Sequence, residues 1–316
     1  MKKKKKKYSK LLKVLLIIPI FAIVISSIMF FSVYFSAKLD KNALISQKAA
    51  IELFDADGKA VSNEKMFRYV PFCDISPNVI NAFVALEDKR FFTHHGVDYY
   101  RMAGAFVKDL KSGSLKEGGS TITQQLAKNT QLSNEKTIRR KIKEIRLARL
   151  IERNFSKEQI LEMYLNAIYF GGGIYGIDSA AKNYFGKSAS ELSASEGATL
   201  AGIVKNPSKY SPKNHPSKAV ERRNIVLALM NKQGYLDNST YTYSLKETYA
   251  YPENVFDDTI SVPYYNNALN EAANILNISE KQLICSKYRI YTYYSDEKQA
   301  ALFSSVRSKD YASVNK

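Results

Sequence analysis

The chain has 316 residues, 45% of them hydrophobic and 24% charged, enough apolar material for a real core and too much for a disordered tail. Its net charge of +17 would point to nucleic acid if it were spread over the fold, but Lys2 to Lys7, Lys10 and Lys13 supply eight of those charges and leave +9 for everything else. From Val14 to Phe35 there is no charged residue, and a helix over that run is about 33 Å long, sufficient for a hydrocarbon core. The run exceeds the apolar region of a cleaved signal peptide, so the expectation is an uncleaved anchor over 14–37 behind a basic tail over 1–13. Lysines before the span and mixed charge after it place the N-terminus in the cytoplasm and everything from about Lys38 outside. The basic run then lies beside a bilayer, where anionic lipid headgroups are a simpler partner than nucleic acid. Cys73 and Cys285 fall in the outer compartment, where a disulfide is permitted but the sequence does not decide the pairing. Three histidines without a Cys/His spacing give no support for a zinc site.

After the anchor, two β-like runs, Ile51-Glu-Leu-Phe54 and Phe67-Arg-Tyr-Val70, flank an Asp57-Gly58 turn and predict a small hairpin. Ser76-Pro77 then opens a helix with Val79, Ile80, Phe83 and Val84 on one face. One more turn of that face reaches Glu87, a carboxylate where the pattern asks for a core residue. Burial raises a carboxylate's pKa toward the range useful to a general base. On periodicity alone, a Glu87 that merely reaches solvent at a fraying helix end fits as well. The surrounding string, Glu87-Asp88-x-x-Phe91-x-x-His94-x-Gly96, resembles the first motif of the peptidoglycan glycosyltransferases. These are the lysozyme-like polymerase domains of class A penicillin-binding proteins and of their monofunctional relatives.

A helical pattern over Asp98 to Leu110 leads to a polar, glycine-bracketed loop and then to Gly118-Gly-Ser-Thr-Ile-Thr-Gln-Gln-Leu-Ala-Lys-Asn129. Thr121 and Gln124 fit a capping box, and a helix start of this kind offers N–H groups to an anion such as a phosphate. The string resembles the second motif of the same family. Glu135 to Arg153 follows as a helix with Ile138, Ile142, Ile145, Ala148 and Ile151 on one face. Lys136, Arg140 and Glu144 recur on the other side, with Lys141 three before Glu144. By itself that is a solvated, salt-bridged face, yet Arg140-Lys141-x-x-Glu144 resembles the family's third motif. A glutamate among cations stays ionised, which sets Glu144 apart from Glu87.

Ser156-x-x-Gln159 caps a helix with Ile160, Leu161, Tyr164, Leu165 and Ile168 inward, running into the glycine-rich Tyr169 to Ile177. Those glycines mean close backbone approach or a mobile loop, and no Lys-Ser/Thr follows to make a nucleotide phosphate loop. Ser188-x-x-Glu191 is expected to cap a helix stopping at Asn206-Pro207, and a last helix, Ser217 to Gln233, ends at Gly234. The family likeness continues through Glu162-x-Tyr-Leu-Asn166, Tyr184-Phe-Gly-Lys187 and Arg222-Arg223.

The resemblance covers roughly Ile51 to Gly234. It implies a mainly α, lysozyme-like glycosyltransferase domain over 45–235, preceded by one transmembrane helix, with a short β hairpin and a small α+β segment over 236–316. It further implies polymerisation of lipid II into β-1,4 glycan strands with release of undecaprenyl pyrophosphate. Glu87 matches the general base and Glu144 the second glutamate. Asp88, His94, Ser120, Gln124, Gln125, Lys128, Lys136, Arg140, Lys141 and Lys143 match substrate-binding positions, and a divalent cation, Mg²⁺ or Mn²⁺, is implied with Glu144 as its candidate ligand. The implied partners are lipid II, the growing strand, membrane lipid, and cell-wall or division proteins, with no nucleic acid. A lysozyme-like hydrolase could use two glutamates as well, though it would not need the cation cluster, and an inactive scaffold would not need either glutamate. Tyr288-Arg-Ile-Tyr-Thr-Tyr293 looks like the linker and first strand leading to a penicillin-binding transpeptidase. That enzyme needs Lys-Thr-Gly beside its Ser-x-x-Lys nucleophile, and no Lys-Thr-Gly occurs in this sequence, so no covalent label from penicillin is expected.

Overall fold

The computed structural model describes residues 2–45, 52–61, 68–112, 118–133, 135, 137–248, 262–278, 283 and 288–307. Helix α1 (Lys2–Ser36) contains the apolar run, and its window Pro19–Ser36 has a mean hydropathy of 2.0 and almost no burial inside the fold. Among the described residues it is the one helix long and apolar enough to cross a membrane. The domain core begins earlier than residue 45. Ala37 and Leu44, the latter in the short α2 (Lys41–Ile45), are buried in it. Gln131 accepts from the Asp40 N–H at 3.0 Å and donates to the Asp40 carbonyl at 3.1 Å. Helix α1 and the segment after it are therefore joined to the domain by packing and a reciprocal hydrogen bond.

The expected hairpin forms, with one strand displaced. β1 (Glu52–Phe54) pairs antiparallel with β2 (Ala60–Val61) around Gly58, whose φ of +74° suits a residue without Cβ. Phe67 lies outside the described residues, and Arg68 to Val70 carry no strand. Asn166 takes both backbone groups of Val70, at 3.0 and 2.8 Å, while Glu162 accepts from the Tyr69 hydroxyl and the Phe72 N–H. The Glu162-x-Tyr-Leu-Asn166 string thus fastens this segment to the helix behind it.

The helical body follows from its caps. α3 (Pro77–Glu87) starts at Ser76, which accepts the Asn78 N–H, and buries Val79, Ile80, Ala82, Phe83, Val84 and Ala85. α4 (Tyr99–Ser112), α5 (Ile122–Gln131), α6 (Ile138–Asn154) and α7 (Lys157–Ala167) come next, with reciprocal capping boxes at Thr121/Gln124 and Ser156/Gln159. β3 (Tyr169–Gly171) and β4 (Ile174–Tyr175) form a tight hairpin in which Gly171, Gly172 and Gly173 all have positive φ. A Cβ on Gly171 would sit 2.9 Å from that of Pro207, so close approach is what this glycine provides. α8 (Ile177–Phe185) ends at left-handed Gly186. The Ser188/Glu191 box caps only a 3-10 turn. The long helix α9 (Ala194–Val204) begins at Ser193 with its own box to Glu196, which competes better because a full helix follows it. α10 (Pro207–Tyr210) and α11 (Pro216–Lys232) complete the body, and α3, α9 and α11 pack together as its centre.

α12 (Asn238–Lys246) was not legible as a helix from its Ser, Thr and Tyr content, yet Asp237 caps it by accepting the Thr240 N–H at 2.7 Å. Hydrogen bonds from Ser239 and Thr240 hold that carboxyl down at about 2. α13 (Val262–Ile275), β5 (Arg289–Tyr291) and α14 (Asp296–Arg307) form the C-terminal segment. β5 is the expected strand, but it pairs parallel with β1, Leu53 opposite Ile290. Leu53, Leu269, Ala273, Leu283 and Tyr294 share a second, smaller core with Tyr175. Among the described residues the chain is mostly helical with two short sheets. Cys73 is free and exposed, and Cys285 lies outside the described residues.

Candidate active site

Glu87 is the last residue of α3, and it is half-buried rather than buried. Its Oε2 accepts from the Gln125 amide Nε2 at 2.7 Å, and the Gln125 oxygen accepts from the Tyr164 hydroxyl at 3.3 Å. The fully buried phenol therefore fixes which way the Gln125 amide faces. Burial holds the Tyr164 hydroxyl well above its usual pKa, and the charges of Glu87 and Asp88 add to that, so it remains a donor. Arg101 at the start of α4 donates to the Glu87 carbonyl and to the Gly118 carbonyl, tying the helix end to the loop before α5. Arg101 belongs to no motif that sequence reading singled out, and Tyr164 lies in the Glu162-x-Tyr-Leu-Asn166 string, where the likeness gave it no role. Tyr164 looked like an ordinary inward residue of α7, and nothing in the spacing of Arg101 marks it.

Asp88 and His94, expected to touch substrate, are turned into the fold. Asp88 is fully buried, accepts the Ile122 N–H at 3.0 Å and lies 2.9 Å from His94 Nε2. The Gly96 N–H donates to His94 Nδ1 at 3.2 Å, so Nε2 carries the proton toward Asp88. The anion predicted at the start of α5 is thus the protein's own Asp88, well placed against the helix dipole. Gln124 is likewise spent on its cap, its oxygen taking the Thr121 N–H at 3.0 Å. Gly96 has φ +89°, and a Cβ there would lie 2.7 Å from the Ala148 carbonyl oxygen of α6. The Thr121 hydroxyl donates to the Gly96 carbonyl at 2.7 Å. The first two motifs and the helix that carries the third therefore meet at one glycine.

The second glutamate comes from α6. The predicted apolar face is rotated: Leu147, Ala148 and Ile151 are buried with Glu144, Ile142 and Ile145 are half-buried, and Ile138 is 82% exposed. Glu144 is therefore not on a solvated face. It pairs with Lys141 and lies 4.0 Å from Arg140, while Lys141 also donates to the Ser120 hydroxyl at 2.8 Å. Lys128, half-buried on α5, feels the charges of both Glu144 and Glu87. Burial pushes its ammonium below the usual lysine range; Glu144 pulls it back up, and Arg140 and Lys141 add to the lowering. Among the described residues Lys128 has no hydrogen-bond or ion-pair partner. Lys143 is half-buried and does not join this group, because one position along a helix turns it about 100° from Glu144. Lys136 lies outside the described residues.

The structure thus brings Glu87, Gln125, Lys128, Ser120, Arg140, Lys141 and Glu144 together. It contains one half-exposed carboxylate with a neutral partner and one buried carboxylate among cations. Glu144 is already paired with Lys141, and no group of three His, Cys, Asp or Glu side chains converges anywhere among the described residues.

Residues 56–231 match the family model described as Transglycosylase. Penicillin-binding protein 2D of Bacillus subtilis is 39% identical over 278 residues, which cover 86% of this chain and 40% of that protein. Penicillin-binding protein 1A of Aquifex aeolicus is 48% identical over 195 residues, 61% of this chain and 27% of that one. The crystal structure of penicillin-binding protein 1A from Haemophilus influenzae aligns with 80% of this chain and 28% of its own, at 24% identity and a TM-score of 0.41. The chain spans 40% or less of the length of these relatives.

Proposed function

The chain belongs to the transglycosylase family, and on that premise we propose that it polymerises lipid II into β-1,4-linked glycan strands as a membrane-anchored peptidoglycan glycosyltransferase. The observation that carries the reading is the placing of Glu87 near a group of cations from α5 and α6, with Lys128 feeling the charges of both glutamates. The acceptor's 4-hydroxyl attacks the anomeric carbon of the donor. The new O–C bond forms as the bond to the diphosphate breaks, and Glu87 takes the hydroxyl proton. Undecaprenyl pyrophosphate leaves with the bonding pair. Its developing charge is met by Lys128, Arg140 and Lys141, of which Glu144 and Ser120 already hold Lys141 in place. Gln125 keeps the Glu87 carboxylate aimed, and Asp88, His94 and Gly96 brace the turn that carries it.

In this reading α1 crosses the bilayer with its lysines on the cytoplasmic side, and the domain lies at the outer leaflet. The anchor keeps the groove beside a substrate that is itself a membrane lipid. The test is purified full-length protein with lipid II in detergent or liposomes, with glycan strands resolved by length. Strand growth supports the polymerase. Cleavage of purified sacculi without strand growth would replace it by the hydrolase.

A further inference from the structure

α6 has a second face that the site does not use. Arg139, Ile142, Arg146, Arg149 and Arg153 follow one another at intervals of three and four residues, a single stripe along the helix, about 21 Å long. It lies opposite the buried Glu144, Leu147, Ala148 and Ile151, and Arg139, Arg149 and Arg153 are exposed. The carboxylates of α6 do not balance it, since Glu144 pairs with Arg140 and Lys141, and Glu152 with Lys157. Among the described residues none of the four arginines has a carboxylate partner.

What this stripe faces is set by α1. The Arg146 guanidinium lies 5.2 Å from the Tyr34 ring centroid and 5.4 Å from that of Phe35, and Arg149 donates to the Tyr34 hydroxyl at 3.5 Å. The apolar window ends at Ser36. The outer end of the membrane helix therefore meets the middle of the stripe, and the arginines to either side extend along the bilayer boundary. Arg149 also lines a cavity of about 400 Å³ together with His95, Tyr99 and Tyr100. Both tyrosines are exposed, and such rings favour the membrane–water interface.

We propose that this face of α6 docks onto anionic phospholipid headgroups of the outer leaflet and so sets the tilt of the groove over the bilayer. The proposal rests on the reading that α1 spans the membrane with the domain outside. Arginine is always charged and its fork matches a phosphate, and the excess of positive charge on a face held at the bilayer edge favours acidic lipid over zwitterionic lipid. The stripe is on the side of α6 away from Glu144, so it is separate from the pocket assigned to the diphosphate.

The chain has no tryptophan, so Ile142→Trp places a single fluorescent reporter in the stripe, and Tyr100→Trp, at a position 83% exposed, provides a second should the first perturb folding. Full-length protein is reconstituted in phosphatidylcholine vesicles with and without about 30% phosphatidylglycerol, each carrying a headgroup nitroxide quencher. Quenching is expected to rise about twofold or more with phosphatidylglycerol, to fall back in about 0.5 M salt, and to fall in Arg139→Gln/Arg149→Gln/Arg153→Gln. Protein that stays in the bilayer but is quenched equally in both lipids, or a triple variant that matches its parent, would overturn the proposal and leave the face to an acidic protein partner. Protein that fails to co-float with either vesicle would overturn the spanning reading, and this inference with it.

Discussion

The two carboxylates of the candidate site occupy opposite surroundings. Glu87 is half-buried at a helix end and meets a neutral amide, while Glu144 is buried in mid-helix and meets Lys141 and Arg140. On the proposed reading, the difference gives identical side chains different work. A carboxylate with open access and an aiming hydrogen bond can receive a proton, whereas one enclosed by cations serves to hold those cations in position. The two halves are joined where Gly96 lies against α6.

That joint is where the comparison breaks most completely. Gly96→Ala puts a Cβ 2.7 Å from the Ala148 carbonyl in a left-handed conformation, and a loss of about 3 kcal/mol or more in denaturant unfolding is expected. An unchanged midpoint would mean the loop and α6 are not locked together. Glu144→Gln should be nearly as severe for function. With their anion gone, Lys141 and Arg140 lose position, and KM for lipid II should rise by about tenfold or more, about 1.4 kcal/mol of uniform binding. A fall in kcat at constant KM would instead give Glu144 a direct part in the chemistry.

Lys128 sharpens the contrast through pH. Its folded pKa is lowered by burial, so its charged form weakens the fold in full below that pKa, and the penalty is relieved as pH rises from the folded toward the unfolded value. Function runs the other way, because an anionic leaving group needs the charged form. Activity should therefore fall on the alkaline side below the ordinary lysine range. Lys128→Met should melt slightly higher while using substrate poorly, and Lys128→Arg should move the alkaline limb upward. An alkaline limb that Lys128→Arg leaves in place would remove Lys128 from that role. The smallest effect is expected from Tyr164→Phe, which frees the Gln125 amide to turn: about 1 kcal/mol in stability, with a modest drop in kcat. Full activity would show that Gln125 is aimed by something else.

Much of this was legible in the chain. The Ser76-Pro77 start, both glutamine capping boxes and the Asp57-Gly58 turn are local chemistry, and local chemistry can be read from neighbours. The braces were not legible, because they join residues distant in sequence: Asp88 to Ile122, Thr121 to Gly96, Leu53 to Ile290. Asp88 and His94 were expected to bind substrate because they match substrate-binding positions of the family, and only the fold shows them facing inward. The apolar face of α6 was misread for a related reason. Its isoleucines at 138 and 142 keep helical spacing, yet tertiary packing selected the face containing Glu144, and no periodicity rule puts a glutamate in a core.

The central claim, that Glu87 removes the proton while the cations from α5 and α6 hold the donor, is tested most directly by Glu87→Gln, with lipid II binding and strand formation measured on the same preparation. The account predicts unchanged melting, an affinity for lipid II close to that of the parent, and strand formation lowered by about 10²–10⁴-fold. Strand formation at the parent's rate would contradict it.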